Sequence, residues 1–171
     1  ATYTVGSGET SADLSATGIA LSAGTLTDAA GNAMSVFGGY TDLADSSAVV
    51  VDTTAPTISD ITTSAFSWGT HLNATEDNSN GTVSVTTVGV EDGQTVTITL
   101  NGSTYTNTVD TNSTTVTITA AALQALTDGQ SYTLTADVSD AAGNAAAQVT
   151  SSSFAVDLSL IHISEPTRPS S

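Results

Sequence analysis

Four stretches of this chain alternate aliphatic and hydroxyl-bearing residues with a period of two. They carry Val83/Val85, Val96/Ile98/Leu100, Val116/Ile118 and Tyr132/Leu134/Ala136/Val138 at every second position. Such a pattern is stable only as a strand with one face buried, because a one-residue slip would turn every aliphatic side chain to water. The intervening positions are mostly Thr. A β-branched residue favours the extended backbone while its hydroxyl meets solvent, so one residue type serves both needs. Turn-forming sequences separate the runs: Glu91-Asp92-Gly93, Asn101-Gly102, Asp128-Gly129 and Ala142-Gly143-Asn144.

Shorter pieces complete the pattern. Thr57–Ile61 reads as a first strand, Ala65–Ala74 as an irregular extended piece carrying Trp68, and Gln148–Val156 as a last strand with Phe154 and Val156 inward. Ala120–Leu126 is the one helical-looking stretch. About seven short strands within about 100 residues, punctuated this regularly, predict an all-β, immunoglobulin-like sandwich.

A phrase recurs. Residues 27–32 read Thr-Asp-Ala-Ala-Gly-Asn and residues 139–144 read Ser-Asp-Ala-Ala-Gly-Asn. Each copy precedes a β-rich stretch that closes on Val-Asp, at Asp52 and at Asp157, 105 residues apart. That period suits a small domain and exceeds the repeat length of solenoids and propellers. The chain is therefore expected to be a fragment of a tandem array. Residues 1–51 are the C-terminal part of a preceding truncated repeat, 52–56 (Asp-Thr-Thr-Ala-Pro) a stiff linker, and 57–157 a complete sandwich. Residues 158–171 break every trend, holding the single Arg (Arg168) and two of the three Pro. From Ser159 they read Ser-Leu-Ile-His-Ile-Ser-Glu-Pro-Thr-Arg-Pro, which resembles translated sequencing-adapter read-through. They are expected to be a non-native or disordered tail, outside the fold.

Charge excludes whole classes of partner. Of the 17 acidic residues all but Glu165 precede this tail, where no Lys or Arg is present to pair with them. With a net charge of −16, the chain repels nucleic acid and anionic membrane, both of which are bound through cationic side chains. Water, salt or divalent cations are left to neutralise the carboxylates. There is no Cys, hence no disulfide and no thiolate metal site. No run of 18 apolar residues suggests a membrane span, and no signal peptide is evident at an N-terminus that begins in mid-pattern.

Asp52-Thr-Thr-Ala-Pro56, Val90-Glu-Asp-Gly-Gln-Thr-Val96, Leu100-Asn-Gly102, Ala122-Leu-Gln-Ala-Leu-Thr-Asp-Gly129 and Val138-Ser-Asp-Ala-Ala-Gly-Asn144 together resemble the Ig-like (cadherin-like) extender repeats of RTX and biofilm-associated bacterial adhesins. The resemblance spans nearly all of 53–157 and is looser over 1–51. It implies a secreted, cell-surface protein whose repeats act as a stalk between cell and target, and whose domain junctions are stiffened by Ca²⁺. It implies neighbouring repeats of the same chain as partners and no enzymatic activity. The alternative is a carbohydrate- or protein-binding Ig-like module of a secreted adhesin or hydrolase.

Ca²⁺ takes six to eight hard oxygens. In an Ig-like sandwich the loop carrying Glu91 and Asp92 and the loop carrying Asp137, Asp140 and Asn144 share one end with the incoming linker and its Asp52. These six are the candidate metal ligands. The same residues are also ordinary turn formers, Asp capping its own loop in water. A second acidic group, Glu76, Asp77, Asn78, Asp128 and Asp157, is expected at the opposite end as solvated loop. No nucleophile–base motif is present, and His71 is expected at the surface. Trp68 with Phe66 suits a core plug better than a sugar-stacking platform.

Overall fold

The alternating runs do form strands, and their aliphatic positions form a single core. The computed structural model describes residues 4–12, 27, 29–32 and 49–159, and the chain divides into two units, Ala1–Thr54 and Ala55–Ser171. In the first unit Ser11 and Val51 make an isolated antiparallel bridge. Thr53 Oγ1 accepts from Gly8 N–H and donates to the Glu9 carbonyl, at 3.0 and 2.9 Å. Residues 13–26, 28 and 33–48, and the tail from residue 160 onward, lie outside the described residues.

The second unit is a β-sandwich. Its strands are β1 (Thr57–Ile58), β2 (His71–Asn73), β3 (Gly81–Val88), β4 (Thr95–Leu100), β5 (Ser103–Thr108), β6 (Ser113–Ile118), β7 (Ser131–Tyr132), β8 (Leu134–Asp137), β9 (Val149–Thr150) and β10 (Phe154–Asp157), with a short helix α1 at Ala120–Gln124. One sheet runs β1-β3-β6; the others run β5-β4-β8-β9 and β2-β10-β7. β2 pairs parallel with β10, so the first part of the domain is fastened directly to its last strand. Across the ladders Val83 faces Val116, Ile98 faces Ala136, and Leu100 faces Leu134. All of these are buried, together with Val85, Val96, Ile118, Val138, Phe154 and Val156. The period-two reading therefore assigned the inward face correctly.

Three details depart from the sequence reading. β5 carries no aliphatic alternation and is exposed along nearly its whole length. It is a strand because the Asn101-Gly102 turn folds it back on β4 in register, with Leu100 opposite Ser103. The long last strand is broken in two. Thr150 lies opposite Thr135 while Phe154 lies opposite Tyr132, so one strand line has one residue more than the other. Ser151 fills that step: its N–H donates to the Leu134 carbonyl and its buried Oγ accepts the Leu134 N–H, at 2.8 and 2.9 Å. The first strand is shorter than expected, because the chain leaves it for an irregular path through Phe66 and Trp68.

That path builds the aromatic end of the core. Phe66 and Trp68 stack at 5.2 Å, and both meet Phe154 edge-on, at 5.6 and 5.3 Å. Trp68 is a core plug, as expected. Its ring lies against Gly81, where an added Cβ would sit 2.5 Å from the indole and 3.1 Å from Leu123. Gly81 is thus required for close approach. Next to it, Asn80 Oδ1 accepts the Ala120 N–H at 3.0 Å and caps α1, whose own N-cap residue Thr119 makes no such bond.

A chain without Lys cannot guard its sheet edges in the usual way. On β5, Asn107 Nδ2 donates to the Thr115 carbonyl of β6 at 2.8 Å, bridging the two sheets at that edge. On the β9 side, Ala146 N–H reaches Val138 while Val149 faces Ala136, an extra residue that bulges the strand.

Candidate functional site

β3 ends beside Pro56, where the chain joins the domain: a Cβ on Gly89 would lie 3.6 Å from the Pro56 Cα. This is the leading end of the sandwich. Glu91 projects from the β3–β4 loop, and its Oε2 accepts the Ala141 N–H at 2.9 Å across 50 positions. Two of the loops nominated from sequence are therefore joined by a hydrogen bond from a carboxylate of one to the backbone of the other.

Asp140 is almost fully buried, at 3% exposure. Its Oδ1 accepts the Asn144 N–H at 2.8 Å, and its Oδ2 accepts from Asn144 Nδ2 at 2.9 Å. Backbone bonds from Asp140 N–H to the Asn144 carbonyl and from Gly143 N–H to the Asp140 carbonyl close the loop, each at 3.1 Å. Gly143 sits at φ +91, which a side chain rarely adopts. The side-chain amide of Asn144 holds the Asp140 carboxyl below its ordinary value, and the N–H groups of Asn144, Gly143 and Ala142 add to this against the opposing effect of burial. The Asp-Ala-Ala-Gly-Asn phrase is thus a closed anionic loop.

The remaining candidates are engaged separately. Asp92 Oδ1 accepts the Thr111 N–H at 2.8 Å, steadying a turn in which Thr111 and Asn112 both take positive φ, 51 and 62. Asp137 binds Gln148 Nε2 through both oxygens, at 3.0 and 2.9 Å. It lines a groove of 310 Å³ with Gln94, Thr95, Thr97 and Val138. Asp52 belongs to the first unit, where its Oδ1 accepts the Thr54 N–H at 2.9 Å. Glu91, Asp140 and Asn144 are accordingly brought to one place; Asp92 and Asp137 face other partners. Among the described residues no three acidic or His side chains converge tightly enough to form a metal cage.

At the trailing end the second acidic group also fastens backbone. Asp128 Oδ1 accepts the Leu158 N–H at 2.8 Å, and Glu76 Oε2 accepts the Asn73 N–H at 3.2 Å. Asp157 Oδ1 takes both the N–H and the hydroxyl of Ser159. These two bonds hold its carboxyl below the ordinary value, and the nearby His71 charge adds to the effect. Asp77 is buried at 8% exposure. His71 is exposed, its Nδ1 2.9 Å from Thr70 Oγ1. The long-range carboxylate–backbone pairings, Glu91 with Ala141 and Asp128 with Leu158, left no local mark in the sequence beyond the presence of Asp and Glu in turns.

No protein-family model and no curated protein sequence matches the chain. Solved structures do. An immunoglobulin-like domain from the ice-binding adhesin of Marinomonas primoryensis is 33% identical, with 95% of that domain and 60% of this chain covered and a TM-score of 0.41. The chain belongs to the Ig-like repeats of bacterial RTX adhesins. A structure from a 1.5-MDa bacterial ice-binding adhesin, studied for host cell surface retention, is 34% identical over 79% of this chain (TM-score 0.49). A Ca²⁺-stabilised adhesin of an Antarctic bacterium that binds ice is 31% identical over the same share (TM-score 0.45). This repeat spans 40% and 31% of those two longer structures. Among the described residues no helix is long and apolar enough to cross a membrane.

Proposed function

We propose that the chain is a structural extender of a large secreted adhesin, a non-catalytic spacer in a stalk that supports surface attachment or biofilm formation. The observation that carries this is the polarity of the second unit. Pro56 packs at Gly89, just past the C-terminal end of β3, whereas the outgoing Leu158 is bonded to Asp128, on the loop between α1 and β7. The N-terminal end of β3 lies near α1, since Asn80 caps that helix and Gly81 contacts Leu123. The chain therefore arrives and leaves at opposite ends of an eight-residue strand, a separation of about 26 Å at ~3.3 Å per residue. Repeats joined in this way add length.

Calcium is the ion that such a repeat would take at its leading end. Glu91, Asp140 and Asn144 supply hard oxygens there. Asp92 on the β3–β4 loop, Asp137 at the end of β8, and Asp52 of the linker are the further ligands nominated by the sequence. The Ca²⁺ stabilisation of one relative supports this reading. Asp140 offers an ionised, preformed oxygen pair, although each oxygen already accepts one hydrogen bond. Millimolar Ca²⁺ should raise the melting temperature of the full chain, and Mg²⁺ much less, because Mg²⁺ keeps its waters and demands a tight octahedron. Binding to the native state alone adds about 2.7 kcal/mol at one hundred times the dissociation constant. Scattering with and without chelator reads the accompanying stiffening. Glu91→Gln and Asp140→Ala should lower the calcium effect, whereas Asp110→Ala should leave it intact. If chelator changes neither the melting temperature nor the scattering, the leading end is a hydrogen-bonded loop pair without an ion.

A further inference from the structure

Four dipeptides in this chain place Gly after Asn or Asp, the pairing most prone to succinimide formation: Asn80-Gly81, Asn101-Gly102, Asp92-Gly93 and Asp128-Gly129. Three of them are locked. The side-chain oxygens of Asn80, Asp92 and Asp128 each accept a backbone N–H from a distant segment, at Ala120 (3.0 Å), Thr111 (2.8 Å) and Leu158 (2.8 Å). The nitrogens that would attack are held as well. Gly93 N–H donates to the Val109 carbonyl at 2.9 Å and Gly129 N–H to the Val156 carbonyl at 2.8 Å, while Gly81 pairs with Ile118 in the β3–β6 ladder.

Asn101-Gly102 is held by none of these devices. Both residues are exposed at the tip of the β4–β5 hairpin, with φ of 47 and 80, the signature of a type I′ turn. Among the described residues neither the Asn101 side chain nor the Gly102 N–H makes a hydrogen bond. Nothing stands within 4 Å of a Cβ placed on Gly102.

We propose that Asn101 is the site at which this repeat undergoes spontaneous deamidation. The Gly102 backbone nitrogen attacks the Asn101 side-chain carbonyl carbon. As the new C–N bond closes a cyclic imide, the bond to the amide nitrogen breaks, and ammonia leaves with the proton from Gly102. Water then opens the imide at either carbonyl, giving aspartate or isoaspartate. The aspartate adds one more negative charge to a chain already at −16. The isoaspartate lengthens the backbone within a two-residue turn whose geometry sets the β4–β5 register, so it should loosen β5 specifically.

The test uses the intact chain in mildly alkaline buffer, folded and in parallel in urea. Peptide mapping by mass spectrometry, with separation of the aspartate isomers, follows Asn80 and Asn101. In the folded chain Asn101 should convert at least about tenfold faster than Asn80, the protection given by ~1.4 kcal/mol of local opening. In urea the two rates should be equal within about twofold, since both are Asn-Gly and no fold protects either. Equal rates in the folded chain, or conversion of Asn80 first, would overturn the proposal. Hydrogen exchange on the converted chain reads the consequence: faster exchange confined to β4–β5 supports loss of register, and unchanged exchange excludes it.

Discussion

The two ends of the sandwich are held by different physics. At the trailing end Phe66, Trp68, Phe154, Leu123 and Gly81 fit by shape, with a backbone–ring contact that leaves no room for one carbon. At the leading end carboxylates accept backbone and amide N–H groups, as in Glu91 to Ala141 and Asp140 to Asn144. Packing of the first kind depends on volume and is indifferent to pH and salt. Bonding of the second kind depends on charge, in a chain with no Lys to share it. The aromatic plug is thus insensitive to protons, whereas the leading-end loops, like the Asp128 and Asp157 bonds at the trailing end, depend on ionised carboxylates.

The largest effect that would expose this difference is removal of the aromatic plug. Trp68→Ala should cost about 3–5 kcal/mol in denaturant unfolding, the range for deleting a buried large aromatic side chain. The loss should be the same at high and low salt. Gly81→Ala probes the same contact from the other side. Its Cβ, 2.5 Å from the indole, forces the ring or β3 to move, and overpacking of this kind costs about 1–3 kcal/mol. Trp68→Ala with Gly81→Ala should then cost less than the sum of the two, because the Cβ no longer meets a ring. Additive losses would mean that Gly81 matters for its backbone alone.

Ser151→Ala comes next. It removes the hydroxyl that accepts the Leu134 N–H inside the core, and leaving that donor unsatisfied costs about 1–3 kcal/mol. Ser151→Thr keeps the hydroxyl and should recover part of the loss, as read by the unfolding midpoint. If alanine were neutral, a water would be replacing the hydroxyl at the strand break.

What the sequence disclosed follows from the range of each interaction. The inward face of β3, β4, β6 and β8 was legible because period-two alternation is local. Trp68 was legible as core from its place beside Phe66 in the extended piece after the first strand. β5 was not, because its Ser-Thr-Tyr-Thr-Asn-Thr has no apolar face; it is defined by the turn before it and by Asn107 reaching β6. The carboxylates could be counted but not assigned. Whether Asp92 serves Thr111 or an ion, and whether Asp137 serves Gln148, depends on segments 19 and 11 positions away, and Glu91 is joined to Ala141 across 50. Asp140 follows the turn reading: it closes its own loop, with both carboxylate oxygens accepting from Asn144.

The smallest effect is the most diagnostic of the leading end. The folded-state carboxyl of Asp140 lies below the ordinary value of 3.8, chiefly through the Asn144 amide. A depressed folded value means that the ionised form favours the fold. Its contribution is complete above the unfolded value and is lost as pH falls below 3.8 and through the folded value. Acid should therefore release the 140–144 loop, and Asp140→Asn, which cannot ionise, should flatten this part of the acid-unfolding curve while lowering stability near neutrality. Asp157 shifts in the same direction through Ser159, so Asp157→Asn should act in the same pH window. The two separate by location: amide protection at Ala142–Asn144, taken relative to the intrinsic exchange rate at each pH, should fall in acid in the Asp157 variant as in the parent chain, and lose this pH dependence in the Asp140 variant. A wild-type loop whose protection factors are unchanged between neutral pH and pH well below 3.8 would show that backbone bonds alone hold it, with the Asp140 carboxylate contributing nothing.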